Sequence, residues 1–260
     1  GPLGQGVGNS VGMAIAANWL ATQYNQPGFD LFGYNVYALC SDGDLMEGVA
    51  NEAASLAGHF KLSNLCWIYD DNRITIEGET DLTFSENVAA RFAGLGWHAV
   101  YVDDANDIDD INRAIQTFLA TEDRPTIIIL RSVIGWGSPN KENTSAAHGA
   151  PLGEDEVRLT KEAYGWPADE SFLVPEEVKE HFSKGIGARG KKSREQWEER
   201  FKQYEAEFPQ LAEQVQSIQN RALPEGWDKD IPEFPCDEKG MASRVSSGKV
   251  INAIAPNLPW

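Results

Sequence analysis

Residues 35–52 read NVYALCSDGDLMEGVANE. An apolar run from Val36 to Cys40 has the look of a strand, and it leads without a break into Asp42 and Gly43. An ionised carboxylate at the buried end of a strand needs a cation or several hydrogen-bond donors. A bound metal is one such partner. The next residues, SDGDLMEG, read as a turn, and the spacing after them predicts a helix from Glu47 to Lys61 with Val49, Ala53, Leu56 and Phe60 facing inward.

Outward from this stretch the same alternation repeats. LCWIY at 65–69 and HAVYV at 98–102 read as strands, residues 106–121 as a helix, and TIIILRS at 126–132 as a further strand. Upstream, VGNSVGMAIAANWLATQY places Val7, Val11, Met13, Ile15, Ala16, Trp19 and Leu20 at helical spacing, with small residues that suit close packing. Strands and helices alternating at this length predict an α/β fold, a mainly parallel sheet flanked by helices.

Beyond residue 150 the chain turns polar, with Pro151, Pro167 and Pro175 breaking it into short pieces; a helical and loop-rich C-terminal extension is expected. Trp197, Phe201, Tyr204, Phe208, Leu211, Val215 and Ile218 form one stripe with a kink expected at Pro209. The stripe reads as a helix packing on its own domain in preference to a partner-binding helix. Residues 224–242 are Pro- and acid-rich and read as a linker, and 243–260 as the start of another helical element. The acidic run DDANDIDD at 103–110 reads as a solvated helix N-terminus rather than a calcium loop.

The 260 residues, 42% of them apolar, can bury a full core. A net charge of −18 excludes a general nucleic-acid surface. Three cysteines form neither a disulfide framework nor a metal-ligand cluster, and no membrane span or leader is visible. A soluble, cytoplasmic protein is expected. The sequence opens without Met on GPLGQG, which predicts an internal piece of something longer, although a cloning remnant can also begin GPLG.

Asp42-Gly43 ends one strand and Asp70-Asp71-Asn72 the next, so in a parallel sheet both sets lie on the edge where open α/β folds bind ligands. A hard divalent ion takes oxygen ligands, often two or three from protein and the rest from phosphate and water. Asp42, the Asn72 amide oxygen and a backbone carbonyl just beyond would make such a set, with Gly43 leaving room for a phosphate and a helix N-terminus nearby. Strand-end acids also cap helices and shape turns, so spacing alone leaves both readings open.

The stretches SDGDLMEGVANEAASLAGHF and IYDDNRITIEG closely resemble transketolase, a thiamine diphosphate enzyme family. GPLGQGVGNSVGMAIA and IGWGSPNKENTSAAHGAPLG match two further segments of the family in the same order. The resemblance implies a thiamine diphosphate-binding fold in which Asp42, Asn72 and the Ile74 carbonyl hold Mg²⁺ or Ca²⁺ and Gly43 lies against the diphosphate. It further implies that Gly1 and Leu3 line the thiamine site, that Ile76 contacts the cofactor from the side, and that His148 reaches the diphosphate region and a sugar phosphate substrate as the catalytic histidine. Glu47 and Glu52 match acidic residues of the family's homodimer interface. His59, His98 and His181 match no motif and read as structural.

One departure is Ser41, where the family signature has a first glycine. The resemblance also implies a diphosphate-binding domain over 1–223 lacking its first segment, a linker at 224–242, and a truncated start of the pyrimidine-binding domain at 243–260. The glutamate that activates the cofactor belongs to that pyrimidine domain. A chain of this extent is therefore expected to be part of an enzyme transferring a two-carbon glycolaldehyde unit from a ketose phosphate to an aldose phosphate, inactive alone. Alternatives are a deoxyxylulose phosphate synthase, a dihydroxyacetone synthase, or a non-catalytic module that needs a complementary chain. A nucleotide-binding α/β protein ranks last, because GVGNSVG has no strand before it.

Overall fold

The alternation of strands and helices closes into a four-stranded, all-parallel sheet. In the computed structural model, which describes residues 2–236, 238–258 and 260, helix α1 (Gln5–Tyr24) precedes strand β1 (Val36–Ser41). Helices α2 (Asp42–Met46) and α3 (Gly48–His59) then lead to β2 (Leu65–Asp71). Next come α4 (Val88–Gly94), β3 (His98–Val102), α5 (Ile108–Leu119) and β4 (Thr126–Arg131), and then α6 (Glu154–Ala163). The strand order is β1-β2-β4-β3. Parallel neighbours require crossovers, which the helices supply.

Because side chains alternate across a strand, the two faces carry separate cores. Trp67 and Tyr69 of β2 and Ile127 and Ile129 of β4 pack with Val7, Val11 and Ala14 of α1 and Ala50, Ala54 and Ala57 of α3. Cys66 and Ile128 point the other way, onto Ala114 and Phe118 of α5. Asp107 caps α5 by accepting from the Asp110 amide at 2.9 Å, as the acidic run predicts.

The inward face of α3 differs from the expected one. Val49, Leu56 and Phe60 are 44%, 43% and 54% exposed, whereas Ala50, Ala54 and Ala57 are buried. The helix lies too close to its neighbours for large side chains: a Cβ on Gly58 would stand 1.8 Å from the Leu95 carbonyl oxygen. Small residues therefore take the packed side and the larger ones the open side. Likewise on α1, Met13 and Trp19 are exposed while Ser10, Ala14 and Ala17 are buried.

The chain divides into two units, one comprising Phe32–Glu176 with the residues up to Gln23, the other Tyr24–Leu31 and Glu177–Trp260. In the second, α7 (Glu176–Phe182) passes through a π-helical turn into α8 (Ala188–Glu207). The chain then breaks at Phe208 and restarts as α9 (Pro209–Gln219), so Pro209 opens a new helix instead of kinking one. The aromatic stripe packs on Tyr24–Leu31. Tyr204 donates to the Tyr24 carbonyl at 2.8 Å, Trp197 Nε1 to Leu31 O at 3.0 Å, and the Phe29 ring meets Tyr204 edge-on at 5.7 Å. A last helix, α10, spans Ser243–Ile254. No helix among the described residues is long and apolar enough to cross a membrane.

Candidate functional site

The C-terminal ends of β1 and β2 are in register, Ser41 opposite Asp70, so the residues that follow each strand emerge side by side. At Asp42 the expected turn is instead the first residue of α2. Its conformation is held by Asp44, whose Oδ2 accepts from the Ser41 amide at 2.9 Å and Ser41 Oγ at 3.1 Å. The other oxygen of Asp44 accepts from the Gly4 amide at 2.8 Å, tying the start of α1 to the strand end. Gly4 has φ +74°, and a Cβ there would meet Glu47 Cβ and Val49 Cγ1 at 2.9 Å. Leu3 reaches over Gly43, its Cδ1 lying 3.1 Å from where a Cβ would stand. Arg91 of α4 braces the far end of α2, donating to the Leu45 carbonyl at 3.3 Å and to Asn51, and pairing with Glu86 at 2.5 Å.

Asp42 is 2% exposed. Its Oδ1 accepts a short hydrogen bond from the Tyr69 hydroxyl, while Oδ2 is buried with no partner. Burial pushes its carboxyl above the ordinary range, and Asp71 and Asp70 add to the effect against the opposing pull of the Tyr69 bond and, more weakly, of the Arg73 backbone. The Tyr69 phenol is pushed up as well, by burial and then by Asp42, so it stays a proton donor.

Just past the end of β2, Asn72 is held in one orientation. Its Nδ2 donates to Asp70 Oδ2 at 3.0 Å, and its Oδ1 accepts from the Ile74 amide at 2.9 Å. Asp70 is itself fixed by the Ser132 hydroxyl. Between Asn72 and Ile74 the chain turns through Arg73 at φ +62°, a left-handed conformation unusual for a non-glycine residue. The Thr75 amide donates to Gly78 O at 2.7 Å and closes the loop, with Ile76 exposed near its tip. A cleft of about 460 Å³ lies alongside, walled by Asp71, Arg73, Thr80 and Tyr101 among others. Asp42 and Asn72 do not line it.

The residues fit a hard divalent cation. Among the described residues no group of three or more His, Cys, Asp or Glu side chains gathers as a metal site, so any cation here rests on few protein ligands and completes its shell with phosphate and water oxygens. The unpartnered Oδ2 of Asp42 is the kind of buried anionic atom that such an ion satisfies.

The family described as transketolase, thiamine diphosphate binding domain, matches residues 1–224. The chain belongs to that family. Transketolase from Bacillus subtilis (strain 168) is 46% identical over 262 residues, covering 100% of this chain and 39% of that protein. Transketolase from Geobacillus stearothermophilus is 49% identical over 259 residues, with 100% and 39% covered. Among solved structures, a transketolase from Pichia stipitis in complex with sedoheptulose 7-phosphate superposes with a TM-score of 0.92 at 40% identity, covering 100% of this chain and 38% of that one. Transketolase from Leishmania mexicana gives the same TM-score at 35% identity. The chain spans 39% of the length of the first two relatives.

Of the positions that the transketolase resemblance singles out, Asp42, Gly43, Asn72, Ile74 and Leu3 gather about the ends of β1 and β2. Gly1 lies outside the described residues. Glu47 and Glu52 sit exposed at the start and on the outer side of α3. His148 follows a short 3₁₀ turn, Ser145–Ala147, and is exposed, with no hydrogen bond from its imidazole among the described residues. In the sequence Asp70 stands out only with Asp71 and Asn72 at a strand end, without a role; Tyr69, Asp44 and Arg91 were not picked out, and only an acid or aromatic within a few residues of Asp42 or Asn72 could have drawn attention to the first two.

The segment before His148 is organised by Glu156 of α6, also missed. Its carboxylate accepts from Ser138 Oγ and from the Asn140 amide and Nδ2, each of the latter at 2.8 Å. These bonds from Ser138 and Asn140 hold the Glu156 carboxyl below its usual value. A depressed carboxyl contributes stability that is present above the unfolded value near 4.5 and lost as pH falls through the folded value. Glu156→Gln is expected to speed amide exchange at residues 136–143 roughly tenfold at neutral pH. The wild-type and variant rates should converge as the pH drops below the ordinary carboxylate range. Equal exchange at neutral pH would show that Glu156 does not hold the loop.

Proposed function

We propose that this chain supplies the metal and diphosphate anchor of a transketolase active site. Asp42, the Asn72 amide oxygen and the Ile74 carbonyl would hold Mg²⁺ or Ca²⁺. Gly43 would admit the diphosphate beside that ion. Gly1, Leu3 and Ile76 would line the thiamine, and His148 would donate a hydrogen bond or proton to a sugar phosphate. The observation that carries this reading is the buried, unpartnered oxygen of Asp42 at the end of β1.

Thiamine diphosphate, when bound, supplies the nucleophilic carbon and electron sink for transfer of a two-carbon glycolaldehyde unit from a ketose phosphate to an aldose phosphate. The residues of this chain bind and orient. The sugar phosphate in the Pichia stipitis complex supports that substrate class. We assign residues 1–223 to the diphosphate-binding domain, 224–242 to a linker and 243–260 to the start of a pyrimidine-binding domain, with Glu47 and Glu52 at a homodimer interface in a cytoplasmic enzyme. Turnover would need the pyrimidine-binding domain, from the same polypeptide or a complementary chain, so the 260 residues alone would be inactive.

Calorimetric titration of thiamine diphosphate into the chain, with and without Mg²⁺, tests the anchor. Saturable binding that requires the metal is expected. A folded chain that binds no cofactor in either condition would defeat the reading.

A further inference from the structure

We propose that Tyr69 is a positioning residue that commits Asp42 to binding its cation through Oδ2 alone. The inference rests on the anchor reading above and adds to it a residue that acts through Asp42. A buried carboxylate has two equivalent oxygens, and either or both can face an ion. Here they are made inequivalent. The Tyr69 hydroxyl donates to Oδ1 and stands 3.5 Å from Asp71 Oδ1, so its single proton is committed to Asp42. Oδ2 is left buried without a donor.

The tyrosine is itself rigidly placed. It is 2% exposed on β2, packed in the core cluster that also holds Cys40 of β1 and Leu45 of α2. It pairs with Cys40 in the sheet register and so stands beside the strand end that leads into Asp42. Asp70, the next residue, points the other way across the strand and orients Asn72 through its Nδ2. Two successive residues of β2 thus set the oxygens of the two side-chain ligands, an arrangement in which groups behind the ligands fix their geometry.

The consequence is a choice between cations. Mg²⁺ demands near-octahedral geometry and favours a carboxylate bound through one oxygen, whereas Ca²⁺ accepts more ligands and a carboxylate bound through both. Withholding Oδ1 therefore favours Mg²⁺. Removing the hydroxyl should cost Mg²⁺ more than Ca²⁺.

The test is titration of thiamine diphosphate into the wild-type chain and Tyr69→Phe, each with saturating Mg²⁺ or Ca²⁺, with far-UV spectra and melting curves confirming the fold. Phe keeps the ring and its packing. The variant is expected to bind about 10-fold or more weakly with Mg²⁺, with a smaller loss for Ca²⁺, so the ratio of the two affinities shifts toward Ca²⁺. Unchanged binding with Mg²⁺, or equal losses with both metals, would overturn the role of Tyr69 while leaving the anchor intact. Absence of metal-dependent binding by the wild-type chain would instead overturn the anchor, and this inference with it.

Discussion

Asp42→Asn should remove Mg²⁺-dependent binding of thiamine diphosphate and at the same time stabilise the metal-free chain. The two effects have one cause. Asp42 is a 2% exposed carboxylate with one side-chain donor, Tyr69, a weaker favourable pull from the Arg73 backbone, and an Oδ2 with no hydrogen-bond partner of good geometry. Without a cation it is a buried, under-compensated charge, a net cost to folding. Asparagine keeps the shape and can still accept from Tyr69 while carrying no charge. Taking the anion from a cation that depends on it costs ~3 kcal/mol or more, roughly a 100-fold loss of affinity. Calorimetry reads the binding and thermal melting without metal reads the stability. A variant that binds within about threefold of wild type would show that Asp42 is not a ligand. Opposite signs on stability and binding would be the mark of a residue kept for function against the interest of the fold.

The second large effect is on the fold. Trp67→Ala is expected to destabilise the sheet-containing unit by ~3–5 kcal/mol, which for a unit of this size lowers the melting temperature by roughly 10 °C. Trp67 is fully buried on the α1 and α3 side of the sheet. Its ring lies 4.7 Å from Trp97 and 5.7 Å from Phe92, and its Nε1 donates to Ser10 Oγ at 2.9 Å. Alanine would leave a cavity at the centre of the sheet and remove the donor to Ser10 Oγ, which keeps its own bond to the Val7 carbonyl. Trp67→Phe should lose less, because most of the ring contact survives. Denaturant melts of the three proteins measure both differences. A loss under about 1 kcal/mol for the alanine variant would show that α1 and α3 collapse onto the gap.

The errors in reading the helices share a physical origin. A hydrophobic pattern identifies a stripe, but it does not say how near the neighbouring element comes. On α3 both Val49, Leu56, Phe60 and Ala50, Ala54, Ala57 recur at helical spacing. The approach of the α3 backbone to Leu95 at Gly58 decides between them in favour of the small residues. Pro209 is a similar case. Proline excludes continuation of a helix, yet it serves equally as the first residue of a new one, and the non-helical backbone at Phe208, φ −128° and ψ 59°, makes the difference.

The sequence by itself determined the α/β alternation, the four strands, and the 30-position interval that sets Asp42 and Asn72 after neighbouring strands. These follow from local periodicity and from the rule that parallel strands end on one edge. Only the tertiary structure decided what surrounds them. The Tyr69 bond to Asp42 spans 27 positions, the Gly4 bond to Asp44 spans 40, and the Arg91 bond to Leu45 spans 46. Such contacts depend on strand register, rotamer and the distance between packed elements, none of which a one-dimensional pattern encodes. The ligand types could be read along the chain; which oxygen is spoken for and which is left free is settled only where separate strands and helices meet.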